Sequence, residues 1–412
     1  MVTTTRPAPA KLKQLADYQG LAPEGVLDEI YEKAGRLKDA SMVHVNATAI
    51  GGGVAEILDN FVLLMNDVGV RTDWRVIHGT AEYFEITKKF HNTLQGNREL
   101  SFSEEEFELF RWVNHRFASF ADLDHDFVII HDPQPAALVE YYAHSRPWVF
   151  RLHIDITDAN PQAFDFMAPY MDQYERMIVS AEEYKRPDLK VPQQIVSPSI
   201  DPLSPKNMDL SEERKAEILQ QYGVPTDKRF ITQVSRFDPW KDPEGVLAVW
   251  ERVRQQEDVR LIFAYAMAPD DPEGARIYQS MAEVAAEHLE NGDVLFVEGN
   301  DPLLVNAIQS TADVVLQKST REGFGLVITE AMWKGSPVVA SNVGGIPTQI
   351  VDGESGFLVD PYDLDAVAEI VVRLLSDKNL AAEIGANARE RVRERFLITR
   401  HMVDYLDLML DL

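Results

Sequence analysis

The chain alternates along most of its length between short, β-branched or apolar runs and longer stretches with helical spacing. That alternation restricts the fold more than any other feature. Runs at 42–45, 74–77, 127–131, 148–153, 177–180 and 194–197 read as strands, and a second series follows at 230–235, 260–264, 294–297, 314–317, 336–340 and 357–359. Between them lie helical patterns, among them 22–39, an apolar face at Val54, Ile57, Leu58, Phe61, Met65 and Val68, and a closing set at 363–375, 380–396 and 399–410. Short strands separated by helices predict an α/β protein with largely parallel sheets, whose ligands gather at the carboxyl ends of the strands. The aperiodic, proline-rich segment 198–205, PSIDPLSP, reads as a linker between the two series. This gives an N-terminal domain at 1–205, a C-terminal domain at 206–385 and terminal helices at 386–412, with residues 1–10 expected to be disordered.

The stretch 319–339, STREGFGLVITEAMWKGSPVV, concentrates the candidate chemistry. A glycine-bearing loop, Arg321-Glu322-Gly323-Phe324-Gly325, runs into an amphipathic segment at 326–334 and then a strand. A helix that opens directly after such a loop offers free backbone N–H groups and a positive dipole end, which suit a phosphate. Glu322 and Glu330 are eight positions apart, roughly 12 Å along a helix at about 1.5 Å per residue. Two carboxylates that flank one glycosidic bond in a hydrolase stand only about 5 to 9.5 Å apart. The pair therefore fits contacts to two ends of one long ligand better than an acid and base couple. The competing reading is an ordinary βα loop with surface glutamates.

Four other segments fall at predicted strand ends. Asn46-Ala47-Thr48-Ala49-Ile50-Gly51-Gly52-Gly53 follows the first strand and precedes a helix, a nucleotide-type βα unit. It lacks the G-x-G-x-x-G spacing of dinucleotide sites, which argues against a nicotinamide enzyme. His131-Asp132-Pro133-Gln134 and His153-Ile154-Asp155 end two later strands; each histidine could equally be a hydrogen-bonded loop residue. Arg236 and Lys241 follow the strand at 230–235, with Pro243 suited to a first helical turn. They form a basic island able to grip phosphate, unless they merely pair with Asp238 or Asp242.

Composition narrows the partners. A net charge of −27, from 67 acidic against 40 basic residues, argues against nucleic acid and anionic membranes. The absence of cysteine removes disulfides, thiol catalysis and zinc–thiolate sites. No histidine cluster has metal-ligand spacing, so no bound metal and no cofactor are expected. There is no signal-peptide core and no run of membrane-spanning length, so a cytoplasmic protein is expected. The sequence leaves a homodimer open.

Arg236 with Lys241, and Glu322 with Glu330, resemble the signature of the retaining glycosyltransferases built from two Rossmann-like domains facing a deep cleft, the GT-B fold. Within that group the chain looks most similar to the trehalose synthases that use a nucleotide-glucose donor. The resemblance runs from residue 41 to the C-terminus and rests on HVNATAIGGGVAEIL (44–58), FHNTLQGN (90–97), HDPQPAAL (131–138), HIDI (153–156), SIDPLSPKN (199–207), TQVSRFDPWKDP (232–243) and REGFGLVITEAMWKG (321–335). It implies that Arg236 and Lys241 hold a donor diphosphate, that Glu322 binds hydroxyls of the transferred glucose and Glu330 the ribose, and that His153 borders that sugar. Gly52 and Gly53, with Phe324, Gly325 and Leu326, would line the donor site. His131, Asp132, Gln134 and Asp155 are acceptor candidates. The partners implied are a nucleotide-sugar donor and glucose. Retaining trehalose phosphorylases share many of these strings, and a catalytically silent sugar-nucleotide binder is the alternative outside enzymes.

Overall fold

The computed structural model describes residues 12–49, 52–142, 146–266 and 272–412. The expected disorder of 1–10 and the first of the three glycines, Gly51, therefore lie outside the described residues. Two six-stranded parallel sheets carry the chain. The first has β1 (Ser41–Asn46), β2 (Arg71–Val76), β3 (Phe127–His131), β4 (Trp148–Arg151), β5 (Arg176–Val179) and β6 (Gln193–Ile195), in the order β2-β1-β3-β4-β5-β6. The second has β7 (Arg229–Ser235), β8 (Val259–Tyr265), β9 (Val294–Glu298), β10 (Val314–Gln317), β11 (Val338–Ser341) and β12 (Phe357–Val359), in the order β12-β11-β10-β7-β8-β9. The two series read from the sequence are these two sheets.

The strands are apolar at successive positions because both sheet faces are covered by helices. In β3, Val128 and Ile130 enter one core while Ile129 between them enters the other; β4 and β5 repeat this with Trp148 and Phe150 against Val149, and Met177 and Val179 against Ile178. The second sheet does the same, with Ile262 and Ala264 on one face and Leu261 and Phe263 on the other. One face of the first sheet carries an aromatic cluster in which Phe107 and Phe166 stack at 4.1 Å and Phe90 and Phe102 at 4.2 Å. The opposite face is closed partly by the chain terminus.

The helix Lys378–Arg395 packs Ala388 and Val392 into the second core. After Phe396 the chain crosses back, and the helix Ile398–Asp411 lays Met402, Tyr405, Leu406 and Met409 against Met42, Phe61, Ile129 and Ile178. The linker read at 198–205 is irregular but well packed: Ile200 pairs with Leu397 of the returning segment, and Tyr18 donates to Asp201 at 2.9 Å. No helix among the described residues is long and apolar enough to cross a membrane.

Two boundaries differ from the sequence reading in ways that matter to the site. β4 ends at Arg151 rather than at residue 153, so His153 stands beyond the sheet edge. β11 begins at Val338 rather than 336, because Pro337 has no N–H to give a ladder.

Candidate active site

In each sheet the strand order reverses at one place, between β1 and β3 in the first and between β7 and β10 in the second. At such a switch point the flanking loops diverge and leave a crevice at the carboxyl ends of the strands. The loops after β7 and β10 carry Arg236, Lys241 and Glu322, and the first sheet presents Gly53 and His153 across from them. All five side chains or glycines line one cleft, with Val234, Gln317, Phe324, Gly325, Leu326 and Glu330.

The two loops of the second sheet are tied together. Trp240 carbonyl oxygen accepts from Thr320 N–H at 2.8 Å, and Lys241 Nζ forms an ion pair with Glu322 Oε2. Ser319 Oγ donates to the same carboxylate oxygen at 3.3 Å. Asp242, a competing partner for Lys241 on sequence grounds, is taken instead by Lys318, which is buried behind the cleft. Asp242 also caps the helix Pro243–Val253, accepting from Gly245 N–H at 3.1 Å. Arg236 touches Asp238 at 3.4 Å and keeps more than half of its side chain exposed. The basic island is thus present in the cleft, with its lysine directed at Glu322.

The glycine loops meet face to face. Gly52 precedes the helix Gly53–Asp67, and Gly325 precedes the helix Leu326–Trp333. A Cβ on Gly53 would stand 2.9 Å from Leu326 Cδ1, the end of a side chain that can turn aside, so the two helix starts lie within side-chain contact of each other. The first residues of both helices, Gly53 and Val54 on one side and Leu326 and Val327 on the other, line the cleft, where the free N–H groups of a helix start suit an anion. Phe324 is buried beneath the loop.

Glu330 is 3% exposed. Its carboxylate lies 3.5 Å from Lys206, which also pairs with Glu56 at 2.9 Å. Lys334 donates to Glu330's carbonyl oxygen at 3.1 Å and to Asn207 Oδ1 at 3.2 Å. Burial raises the Glu330 carboxyl, and the two lysines oppose it. Glu330 also lines an adjoining hollow with Glu56, Asn60, Ser199 and Lys206. At the other end, Glu322, Lys241 and Arg236 are shared with a second hollow lined by His91, Gln95, Asp155, Trp240 and Arg321. The two glutamates therefore mark opposite ends of one continuous crevice. Only the part from Leu326 onward is helical, so the helical rise applies to half of their separation.

Three acceptor candidates sit elsewhere. His131 is buried behind His153, its Nδ1 at 2.9 Å from His153 Nε2. Asp132, at φ +63, turns its carboxylate back to accept the His153 backbone N–H at 2.8 Å. Gln134 uses its carbonyl oxygen to accept from Tyr83 and Asn114. None of the three lines the hollows described; they support the wall, and of the four only Asp155 faces the crevice.

Several further residues border the cleft to which the sequence reading gave no role of their own. Tyr184, from the first half, donates to the carbonyl oxygens of Glu322 at 3.0 Å and Gly323 at 2.6 Å. Arg321 lies over the Trp240 ring, 5.6 Å from its centroid. Lys206 and Lys318 are single lysines with no local pattern. His91 and Gln95 are four residues apart, a helical same-face spacing that could have drawn attention. Among the described residues no group of three or more histidine, aspartate or glutamate side chains gathers where it could hold a metal ion.

Two facing Rossmann-like sheets with a cationic pair and two glutamates in the crevice define a GT-B glycosyltransferase. A solved trehalose-6-phosphate synthase has the same fold, with a TM-score of 0.74 at 16% identity over 90% of this chain and 99% of that one. Residues 214–391 match the family model for glycosyl transferases group 1, and residues 44–186 match that for the trehalose synthase N-terminal domain. The trehalose synthase of Thermococcus litoralis is 46% identical over 400 residues, covering 96% of this chain and 97% of that protein. The chain belongs to the trehalose synthase family. A trehalose phosphorylase of Pleurotus pulmonarius is more distant, 28% identical over 93% of this chain but only 59% of the phosphorylase. Trehalose-related glycosyl transfer is the activity this membership establishes.

Proposed function

We propose that the chain is a retaining glucosyltransferase that moves glucose from a nucleoside-diphosphate glucose to free glucose, reversibly forming α,α-trehalose. The observation that carries this reading is the crevice itself, which continues past Arg236 and Lys241 to the buried carboxylate of Glu330. Inorganic phosphate would fill only the middle of it; a nucleoside diphosphate uses the far end. In this reading Arg236, Lys241 and the amides at Gly52, Gly53, Gly325 and Leu326 bind the diphosphate, and Glu330 receives the ribose. Glu322 leaves Lys241 to bind hydroxyls of the transferred glucose, with His153 beside that sugar and Phe324 beneath it. The acceptor glucose takes the hollow of His91, Gln95, Asp155, Trp240 and Arg321.

The bond from the anomeric carbon to the donor phosphate oxygen breaks, and a bond to the acceptor hydroxyl oxygen forms on the same face. The hydroxyl proton passes to the departing phosphate oxygen. No protein nucleophile is needed, and the cations stabilise the charge that develops on the leaving group, which is the kind of contribution that often dominates catalysis. No metal or cofactor enters the scheme. Residues 1–205 act as the acceptor side and 206–385 as the donor side, closing over the substrates. A nucleotide-sugar substrate also fits a cytoplasmic location.

Calorimetric titration tests the reading. A panel of nucleoside diphosphates should bind more tightly than inorganic phosphate, and Glu330→Ala should weaken the preferred nucleotide while leaving pyrophosphate binding nearly unchanged. Preference for inorganic phosphate over every nucleotide would favour phosphorolysis. Tight nucleotide binding with no turnover would mark a silent binder.

A further inference from the structure

Behind the cleft wall three imidazoles stand in a row. His44 is on β1, His131 ends β3 and His153 follows β4, and these strands are neighbours in the sheet. His44 Nδ1 lies 2.8 Å from His131 Nε2, and His131 Nδ1 lies 2.9 Å from His153 Nε2. The His131 and His153 rings are nearly parallel, at 14° and 5.3 Å between centroids. His44 and His131 are buried, while His153 borders the cleft. Nothing in the transfer scheme uses the two inner rings.

A neutral imidazole has one N–H and one lone pair, so neutral rings linked in series must all donate in the same direction. Burial holds these rings neutral: it lowers His44 to about 3 and His131 and His153 well below the ordinary histidine value, assisted by the Arg151 guanidinium beside the last two. The direction is set at the buried end. His44 Nε2 is buried with no hydrogen-bond partner among the described residues, and the His44 ring packs against the rings of Phe61 and Tyr405, with centroids 5.4 Å and 5.7 Å away. An orphaned N–H is less well tolerated in such surroundings than an orphaned lone pair. His44 therefore carries its proton on Nδ1 and donates to His131, which donates from Nδ1 to His153 Nε2. Only His153 Nδ1 is left for its own proton.

We propose that His131, backed by His44, is a positioning residue that locks the ring of His153 as the Nδ1–H tautomer, so that the cleft wall presents a hydrogen-bond donor to the transferred sugar. The functional part of this inference rests on the proposed glucosyl transfer, while the tautomer itself does not. A donor here grips a sugar oxygen and also keeps a basic, nucleophilic lone pair away from an anomeric carbon that is to be attacked only by the acceptor. Asp132 secures the same residue from the backbone side through the His153 N–H.

The test is a long-range proton–nitrogen NMR spectrum of the substrate-free protein labelled with 15N-histidine, with His153 assigned by its loss in His153→Gln. The wild type should show His153 only as the Nδ1–H form. His131→Phe, which keeps ring volume without either nitrogen, should give a tautomer mixture and lower kcat on the order of tenfold or more, with the donor KM nearly unchanged. His131→Asn, whose amide can offer an N–H where Nδ1 stood, should restore the single tautomer and most of the turnover. An Nε2–H form in the wild type, or a His131→Phe protein with native tautomer and native kcat, would overturn the proposal. The wild-type spectrum decides the tautomer even if His131→Phe does not fold. A correct tautomer with no trehalose formed would instead place the error in the proposed reaction.

Discussion

Gly344→Ala puts the geometry of the Glu322 loop to a quantitative test. Gly344, in the turn after β11, has φ +52, and a Cβ built on it lies 2.9 Å from Tyr184 Oη, 3.0 Å from the Glu322 carbonyl carbon and closer still to its carbonyl oxygen. An ordinary contact is about 3.5 Å or more, so the Glu322 carbonyl must retreat by more than about 1 Å. That carbonyl oxygen already accepts from Tyr184 at 3.0 Å and from Gly345 N–H at 3.3 Å, so displacement strains both bonds and moves the Glu322 carboxylate with them. Misplacing a catalytic group by about 1 Å can lower the rate on the order of 10²-fold. The left-handed backbone adds about 1–2 kcal/mol for alanine, partly offset by about 0.4–1 kcal/mol from the stiffer unfolded chain. Gly353→Ala is the control: it has φ +74 and nothing within 4 Å of its Cβ, so it shares the backbone cost without the collision. Initial rates and thermal midpoints should show both variants modestly destabilised and only Gly344→Ala strongly slowed. Gly344→Ala turnover within twofold of the wild type would refute the argument that this loop fixes the site.

Lys241→Ala and Glu322→Gln should each lower transfer by roughly 10²–10³-fold, the range for removing one electrostatic stabiliser, with unchanged circular dichroism; wild-type turnover in either would remove that residue from the site. Stability should fall in mild acid. His44 and His401, lowered to about 3, and His131, lowered well below the usual value, stay neutral in the fold, whereas unfolded histidines take up protons below about pH 6.5. The unfolded state then binds more protons, so stability is full above pH 6.5 and is lost as the pH drops toward 3. Asp132 and Asp404, raised to about 6 by burial, and Glu330 and Asp313, raised by the same cause, oppose this, but His91 and His153 are also held neutral by burial, so the lowered rings outnumber the raised carboxyls. Urea midpoints should therefore be lower at pH 4.5 than at 7.5, and equal or higher midpoints would contradict the burial of these histidines. Excess chelator should leave the rate unchanged; loss of activity restored by magnesium would show that a metal takes part.

The strands were legible because each is buried on both faces and reads as a short apolar run between helical patterns, as in FVIIH at 127–131. The cationic pair and the glutamates were legible because the loops after β7 and β10 carry them in local motifs. Partner choice was not. Lys241 pairs with Glu322, 81 residues away, and Asp242 with Lys318, 76 residues away, because β10 lies beside β7, and nothing near either residue announces that. The strand-end cluster His131-Asp132 lies behind the cleft wall for a conformational reason that no local pattern shows: at φ +63 Asp132 turns inward onto the His153 N–H. Lys206 had no local signal, since its meaning comes from bridging Glu56 of one half and Glu330 of the other.

Proton NMR of the purified protein separates transfer from a nucleotide donor from phosphorolysis in one experiment. Separate samples would contain glucose with each of several nucleoside-diphosphate glucoses, beside one holding trehalose and inorganic phosphate. Transfer from a nucleotide donor gives the symmetric α,α-disaccharide signal in at least one nucleotide sample and no glucose 1-phosphate in the phosphate sample. Glucose 1-phosphate there, with every nucleotide sample silent, would contradict it.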